Sequence, residues 1–83
     1  MRATISGMRY DTTQADALAS VGSGEHPDDP ERWAATFYRK TTTGEIFLAG
    51  SGGAMTRFKG KARILVLSPA ERDQLIDWYG VKP

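Results

Sequence analysis

The 83-residue sequence predicts a single α+β domain, residues 1–83, in which a small antiparallel sheet of four to five strands carries two α-helices in the order ββαβββα. Two observations lead to this fold class. The segments "RWAATFYRK" and "EIFLAG" alternate in the manner of strands about the short loop "TTTG". The segment "SPAERDQLIDWYG" carries both the start and the stop signals of a helix. Helix-linked crossovers are too few for a doubly wound parallel sheet.

The N-terminal segment "ATISGMRYD" reads as two short strands joined at Ser6-Gly7, where glycine supplies the positive φ of a tight turn. The next segment, "DTTQADALASVG", changes to helical spacing. Its N-cap is Thr12 or Thr13, and Gly22 ends it. Ala15, Leu18 and Ala19 then share one face of the predicted helix.

The central hairpin is predicted from two alternating runs. Its first strand divides into two faces, with Trp33, Ala35 and Phe37 on one side and Ala34, Thr36 and Tyr38 on the other. In the loop, Gly44 is the residue expected to need a positive φ.

The C-terminal part predicts one more strand and the second helix. "ARILVLS" is apolar on both alternating faces, which favours a central strand covered on both sides. Ser68 is the expected N-cap, Pro69 the first helical residue, Glu71 the partner in a capping box and Gly80 the stop. Leu75, Ile76 and Tyr79 form the predicted buried face of this helix, with Ala70 or Trp78 beside them.

Composition indicates a globular protein, with 40% hydrophobic and 25% charged residues and no cysteine. No apolar run has the length of a signal peptide or a membrane span, and we expect a cytoplasmic protein. The net charge of +1 is unevenly distributed. Residues 1–31 carry two basic and six acidic side chains, whereas residues 32–63 carry seven basic and one acidic. The middle segment is therefore the candidate surface for a charged partner.

The segment "GSGGAMTRFKGK" resembles a phosphate-binding loop in its glycines, but such a loop opens onto a helix, and here a strand is expected. A bend that delivers Met55 and Phe58 to the core explains the glycines better. His26 and the carboxylates around it match no metal-ligand spacing. Ser51 and Ser68 would both depend on that single histidine as a base. We expect no catalytic residue, no metal, no cofactor and no enzymatic activity.

Basic residues recur at alternate positions after the glycines. Arg57, Lys59, Lys61 and Arg63 would form one row if the segment were extended, and Arg39 and Lys40 on the central hairpin would widen it. Such a row suits nucleic-acid phosphates or an acidic protein surface. A solvated edge strand, kept from aggregating by its charges, explains the same pattern.

Three stretches of the chain carry a pattern that consists of Gly7, Tyr10, Asp11, Thr12, Tyr38, Arg39, Gly44, Phe47, Leu48, Gly50, Gly52, Gly53, Met55, Thr56, Phe58 and Trp78. In these residues the sequence resembles a family of short proteins from phages, plasmids and other bacterial mobile elements. The chain departs from the family pattern at Phe37, where leucine is usual, and in its short "KGKAR" segment.

The resemblance implies an interaction protein, since some members of that family are, or accompany, anti-CRISPR proteins. The expected function is binding and inhibition of a bacterial host-defence complex, with a CRISPR effector as the partner and no membrane involved. The expected partner-binding residues are Arg39, Lys40, Arg57, Lys59, Lys61 and Arg63. The alternative is a small nucleic-acid-binding regulator that uses the same basic row, with Trp33, Tyr38 or Phe58 for base stacking.

Overall fold

A computed structural model describes residues 1–23 and 29–82 of the protein. These residues form six strands, one turn of 3-10 helix and one α-helix. The order is β1 (Arg2–Ile5), β2 (Met8–Asp11), the 3-10 turn (Thr12–Gln14), β3 (Ala15–Gly22), β4 (Trp33–Lys40), β5 (Ile46–Gly52), β6 (Ala62–Leu65) and α1 (Pro69–Tyr79). Within the described residues, no helix is long and apolar enough to cross a membrane.

The strands form two antiparallel sheets, so the α+β class is confirmed, but the single sheet of four to five strands with two α-helices is wrong, because the described residues form two sheets and one α-helix. β3, β4, β5 and β6 make a four-stranded sheet in that order, here called the central sheet, and β1 pairs with β2 in a separate hairpin. The hairpin β1–β2 covers one face of the central sheet and α1 lies against the other. We call these two faces the hairpin side and the helix side.

Two fully buried phenylalanines lie on opposite faces of the central sheet. Phe37 on β4 belongs to the cluster on the helix side, whereas Phe47 on β5 belongs to the cluster on the hairpin side. On the hairpin side, the rings of Tyr38 and Phe47 stack at 5.6 Å and Tyr10 meets Phe47 edge-on at 5.3 Å. The alternation predicted for the central hairpin is confirmed, because β4 alternates its apolar side chains between two packed layers.

The predicted N-terminal hairpin and its turn are confirmed. Ile5 pairs with Met8, and the two residues between them, Ser6 and Gly7, have φ angles of 52° and 80°. Positive φ at both central residues is the mark of a type I′ turn, whose twist matches that of the flanking strands. Gly44 likewise has the positive φ expected of it, at 78°.

The first predicted helix is wrong, because residues Ala15–Gly22 form β3 at an edge of the central sheet. Its pairing with β4 shifts register between Ala17 and Ala19, which is a β-bulge at Leu18. Ala15 therefore faces the hairpin side, while Leu18 and Ala19 pack on the helix side. The i, i+3, i+4 spacing of Ala15, Leu18 and Ala19 reads as helical, although Ala15 lies on the opposite face of the sheet from Leu18 and Ala19.

The strand that starts at Ala62 is also placed differently from the prediction. β6 is an edge strand next to β5, and β4 and β5 occupy the centre. Its two faces are indeed covered at Ile64 and Leu65, but Val66, the first residue beyond the strand, is exposed. A continuous apolar run indicates that both faces of a strand are covered, but it says nothing about the neighbours of that strand in the sheet.

The boundaries predicted for the C-terminal helix are confirmed. The Ser68 hydroxyl accepts a hydrogen bond from the Glu71 amide at 3.2 Å, and Gly80 adopts a φ of 63°. The Val81 amide donates to the Ile76 carbonyl, which makes the end a Schellman motif. No helical side chain is fully buried, although Leu75 and Ile76 pack against the core of the helix side. The helix thus leaves much of its apolar surface exposed.

Candidate functional site

The glycine-rich segment continues into a closed loop, residues 53–61, which we call the loop 53–61. Its start is tied to the segment before β4, since the Gly53 amide donates to the Arg32 carbonyl at 2.7 Å and the Met55 amide donates to the Pro30 carbonyl at 2.9 Å. The Gly60 amide donates back to the Gly53 carbonyl at 3.1 Å. These amides are already bonded within the chain, so they offer no cradle for a phosphate group.

Close backbone approach explains why glycine occupies this segment. A Cβ atom added at Gly53 would collide with the Pro30 backbone, and one added at Gly50 would collide with the backbone of Ala34 and Ala35. Strands β4 and β5 can therefore pack tightly, and the loop 53–61 can lie directly against residue 30. The glycines of "GSGG" serve close packing, which agrees with the bend expected from the sequence.

Of the two side chains expected in the core, Phe58 lies there and Met55 does not. Phe58 is 3% exposed and packs in the cluster on the helix side. Thr56 shapes the turn before it, because its hydroxyl donates to the Gly53 carbonyl at 2.7 Å and accepts from the Phe58 amide at 3.2 Å. Met55 is 71% exposed. The prediction that Met55 enters the core is therefore wrong.

An open groove of about 460 Å³ lies between the loop 53–61, α1 and the helix side of the central sheet. We call it the apolar groove. Leu48, Phe58 and Leu65 belong to the core of the helix side and line it, and the more exposed Met55, Trp78 and Tyr79 line it as well. Its volume is typical of ligand-sized pockets, but it is open to solvent on one side.

The aromatic side chains of the groove differ in how firmly they are held. The Tyr79 ring meets Trp33 edge-on at 6.1 Å and lies 6.5 Å from Phe37, so it is fixed by the core although 40% of it is exposed. Trp78, its neighbour, is 66% exposed. Since consecutive residues of a helix point about 100° apart, only one of this pair can face the core.

An ion pair connects the loop 53–61 to the first turn of α1. The Arg57 guanidinium donates to the Glu71 carboxylate at 2.7 Å, with both side chains partly exposed. Glu71 was expected to bond the Ser68 amide and complete a capping box. In the part of the chain that the structure describes, its carboxylate bonds Arg57 instead, so only the serine half of the box is formed.

The six basic residues predicted to bind a partner fall into two groups. Arg39 and Lys40 lie where β4 ends, because Arg39 pairs with Ile46 at the start of β5. The loop 53–61 follows Gly52 at the other end of β5, six residues or roughly 20 Å away. Arg39 and Lys40 therefore do not widen the basic surface that follows the glycines.

The first group is already engaged within the protein. Arg39 forms an ion pair with Asp16 at 3.3 Å. Lys40 is 9% exposed, with its ammonium 3.9 Å from the centre of the Tyr10 ring and 3.5 Å from Glu45. Lys40 thus stabilises the contact between the hairpin β1–β2 and the central sheet.

The second group is Arg57, Lys59, Lys61 and Arg63, and a turn at Lys59 and Gly60 breaks the extended row expected from their spacing. The Lys61 amide donates to the Phe58 carbonyl, and the two residues between them, Lys59 and Gly60, have φ angles of 53° and 77°. Arg63 is in β6, opposite Gly50. Lys59, Lys61 and Arg63 are exposed, and no ion pair is found for them in residues 1–23 and 29–82.

The other candidates for chemistry in the sequence are His26 and the carboxylates around it. His26 and its neighbours Glu25 and Asp28 lie outside the described residues. Among the described residues, no cluster of three potential metal ligands occurs.

The apolar groove was not predicted from the sequence. The one available signal was the pair Trp78-Tyr79, because two adjacent bulky aromatics at the end of a helix cannot both be buried.

Comparison of the chain with profiles of known protein families, with curated proteins and with solved structures gives no match.

Proposed function

We propose that this protein is a non-enzymatic mobile-element protein that binds and inhibits a host-defence complex in the cytoplasm of a bacterium, with a CRISPR effector as its target. The observation that carries the proposal is the exposure of Met55 at 71% and Trp78 at 66% along one groove. Two large apolar side chains left in solvent beside a structured groove are typical of a protein-binding surface.

The residues that carry the family resemblance support this proposal through their roles in the fold. Most of them have a structural role. Two glycines have a positive φ (Gly7 and Gly44), and three others permit close packing (Gly50, Gly52 and Gly53). Four large side chains are buried: Tyr10, Phe47, Leu48 and Phe58. Met55 and Trp78 have no such role, because their side chains are mostly exposed. A role in binding a partner accounts for both.

The charge beside the groove favours a partner with acidic groups. Arg57 lines the groove, and Lys59 and Lys61 follow it in the same loop with exposed side chains. Complementary charge increases the rate and the selectivity of association more than it increases affinity. We therefore assign binding to Arg57, Lys59, Lys61 and Arg63 together with the apolar groove, and a structural role to Lys40.

The test is co-purification with purified CRISPR effector complexes, followed by measurement of effector binding to target DNA. The informative variant is Met55→Glu, which places a charge on the groove with little risk to the core. Its matched control is Met8→Glu on the hairpin β1–β2, since Met8 is also exposed, at 48%. We expect inhibition by the wild type and by Met8→Glu and its loss in Met55→Glu. A protein that neither binds nor inhibits any effector tested would contradict the proposal.

The second candidate function is nucleic-acid binding, which the exposed Lys59, Lys61 and Arg63 favour. It predicts a dissociation constant that rises steeply with salt, since each phosphate contact releases a counterion. A gel-shift titration of the isolated protein against single- and double-stranded DNA at increasing salt separates the two functions. Salt-sensitive binding of nucleic acid by a protein that inhibits no effector would support the nucleic-acid function over the inhibitor.

A further inference from the structure

The lining of the apolar groove suits an apolar side chain of a partner. Its buried walls are Leu48 and Phe58, which are held by the core on the helix side. Its exposed wall is formed by Met55 and Trp78. A methionine adapts its shape to different ligands, and an indole supplies a large flat contact area at low conformational cost. Such a lining selects for apolar contact and not for one specific side chain.

The polar groups around the groove indicate which residues flank that apolar side chain. Arg57 donates one of its five N–H groups to Glu71, and a guanidinium can bind a second carboxylate with the others. Lys59 and Lys61 add two exposed cations on the same loop. Among the described residues that line the groove, lie on the loop 53–61 or pair with it, the carboxylates are Glu31 and Glu71, and Arg57 already neutralises Glu71 in part. Within this set three cations outnumber two carboxylates, so this surface attracts acidic groups.

We propose that the apolar groove binds a leucine or phenylalanine side chain of a partner protein, flanked in the partner by aspartate or glutamate residues; this refinement rests on the proposed function. The apolar side chain enters between α1 and the loop 53–61, and the acidic residues beside it meet Arg57, Lys59 and Lys61. The apolar contact provides affinity and the charges provide selectivity.

The experiment is an NMR titration of the ¹⁵N-labelled protein with three synthetic peptides, blocked at both ends. The first is Ala-Asp-Glu-Leu-Asp-Glu-Ala. The second has alanine in place of leucine, and the third has lysine in place of every acidic residue. We expect the first peptide to shift the amide resonances of the loop 53–61 and of the last turn of α1. Loss of the leucine should weaken binding about tenfold, because most of the buried apolar area is removed.

Two protein variants distinguish the groove from the rest of the surface. Met55→Glu should weaken binding of the first peptide about tenfold, since it introduces a like charge at the groove. Met8→Glu on the opposite side of the central sheet should leave it unchanged. The double variant Lys59→Asn with Lys61→Gln should weaken it about threefold, because surface charges contribute modestly. If Met55→Glu proves unfolded, titration of this double variant provides a second, independent check.

Several results would overturn the inference. The first is the absence of shifts in the loop 53–61 with the acidic leucine peptide. The second is equal or stronger binding of the lysine peptide. The third is a concentration-dependent dimer in sedimentation that Met55→Glu abolishes, which would identify a second copy of this chain as the occupant. If peptide binding fails while effector inhibition persists, only this inference falls; if peptides bind and no effector is inhibited, only the proposed function falls.

Discussion

The Lys40 ammonium lies 3.9 Å from the centre of the Tyr10 ring, and both side chains contact Glu45. The Tyr10 hydroxyl donates to one Glu45 oxygen at 2.7 Å, and the Lys40 ammonium lies 3.5 Å from the other. Tyr10 belongs to β2, whereas Lys40 and Glu45 flank the loop between β4 and β5. This triad therefore connects the hairpin β1–β2 to the central sheet through one hydrogen bond, one ion pair and one cation–ring contact.

Tyr10→Phe should lower the free energy of unfolding by about 1 kcal/mol, because it removes one partly buried hydrogen bond and keeps the ring. The measurement is urea denaturation followed by tryptophan fluorescence. Tyr38→Phe is the matched control, since the Tyr38 ring also packs against Phe47 and its hydroxyl has no hydrogen bond in the described part of the chain. Equal stability of Tyr10→Phe and the wild type would show that the hydrogen bond to Glu45 adds nothing.

The same tyrosine should make stability depend on pH in the alkaline range. Burial raises the pKa of Tyr10 from 10.0 to about 12, and the hydrogen bond to Glu45 and its negative charge add to the shift. The unfolded chain therefore loses this proton at a lower pH than the folded chain does. The free energy of unfolding should fall as the pH rises from about 10 to 12. Denaturation midpoints of the wild type should fall more steeply over this range than those of Tyr10→Phe; parallel curves would contradict the assignment.

Local signals in the sequence predicted the turns, the central hairpin and the C-terminal helix correctly. Ser6-Gly7 and Gly44 carry the turn chemistry that positive φ requires, and Ser68 and Gly80 carry that of helix ends. Each depends on a few adjacent residues, so no knowledge of the tertiary fold was needed. The bulge at Leu18 is different, because it exists only through the pairing of β3 with β4. The small residues of β3 are compatible with either a helix or a strand, and the pairing of this segment with β4 decides between the two.

The candidate site was less predictable because it combines distant segments. Charge alternation placed Arg57, Lys59, Lys61 and Arg63 in one row, but the turn at Lys59 and Gly60 breaks the alternation. The partners that neutralise Arg39 and Arg57, Asp16 and Glu71, are 23 and 14 residues away in sequence. The apolar groove also combines segments that are distant in sequence, because its walls come from β5, β6, α1 and the loop 53–61.

Gly53→Ala should destabilise the fold by about 2 kcal/mol or more, since the added Cβ would overlap the Pro30 backbone and force it to shift. Gly80→Ala is the informative comparison. Gly80 has a φ of 63° and open space around it, so its substitution costs only backbone strain, about 1 kcal/mol. Thermal unfolding of the two variants should therefore rank Gly53→Ala as the less stable. The opposite order would mean that the segment before β4 yields easily.

Lys59→Asn should stabilise the protein slightly, by about 0.5 kcal/mol, while removing a charge from the loop 53–61. Lys59 has a φ of 53° directly before Gly60, and asparagine accepts this backbone conformation more readily than lysine does. Urea denaturation measures the stability, with Lys61→Asn as the control that removes the same charge without the turn effect. A loss of stability in Lys59→Asn would show that the lysine side chain contributes contacts to the fold.

The ion pair between Arg57 and Glu71 should contribute little to stability and more to binding. Both side chains are partly exposed, so a double-mutant cycle with Arg57→Ala and Glu71→Ala should give a coupling energy below about 1 kcal/mol. The two substitutions should change the affinity for the acidic leucine peptide in opposite directions. Arg57→Ala removes a donor for its carboxylates and should weaken it about threefold, whereas Glu71→Ala releases Arg57 and removes a competing charge, and should strengthen it about twofold. The NMR titration measures both, and weaker binding in both variants would show that the pair positions the loop 53–61 and that Arg57 does not contact the peptide.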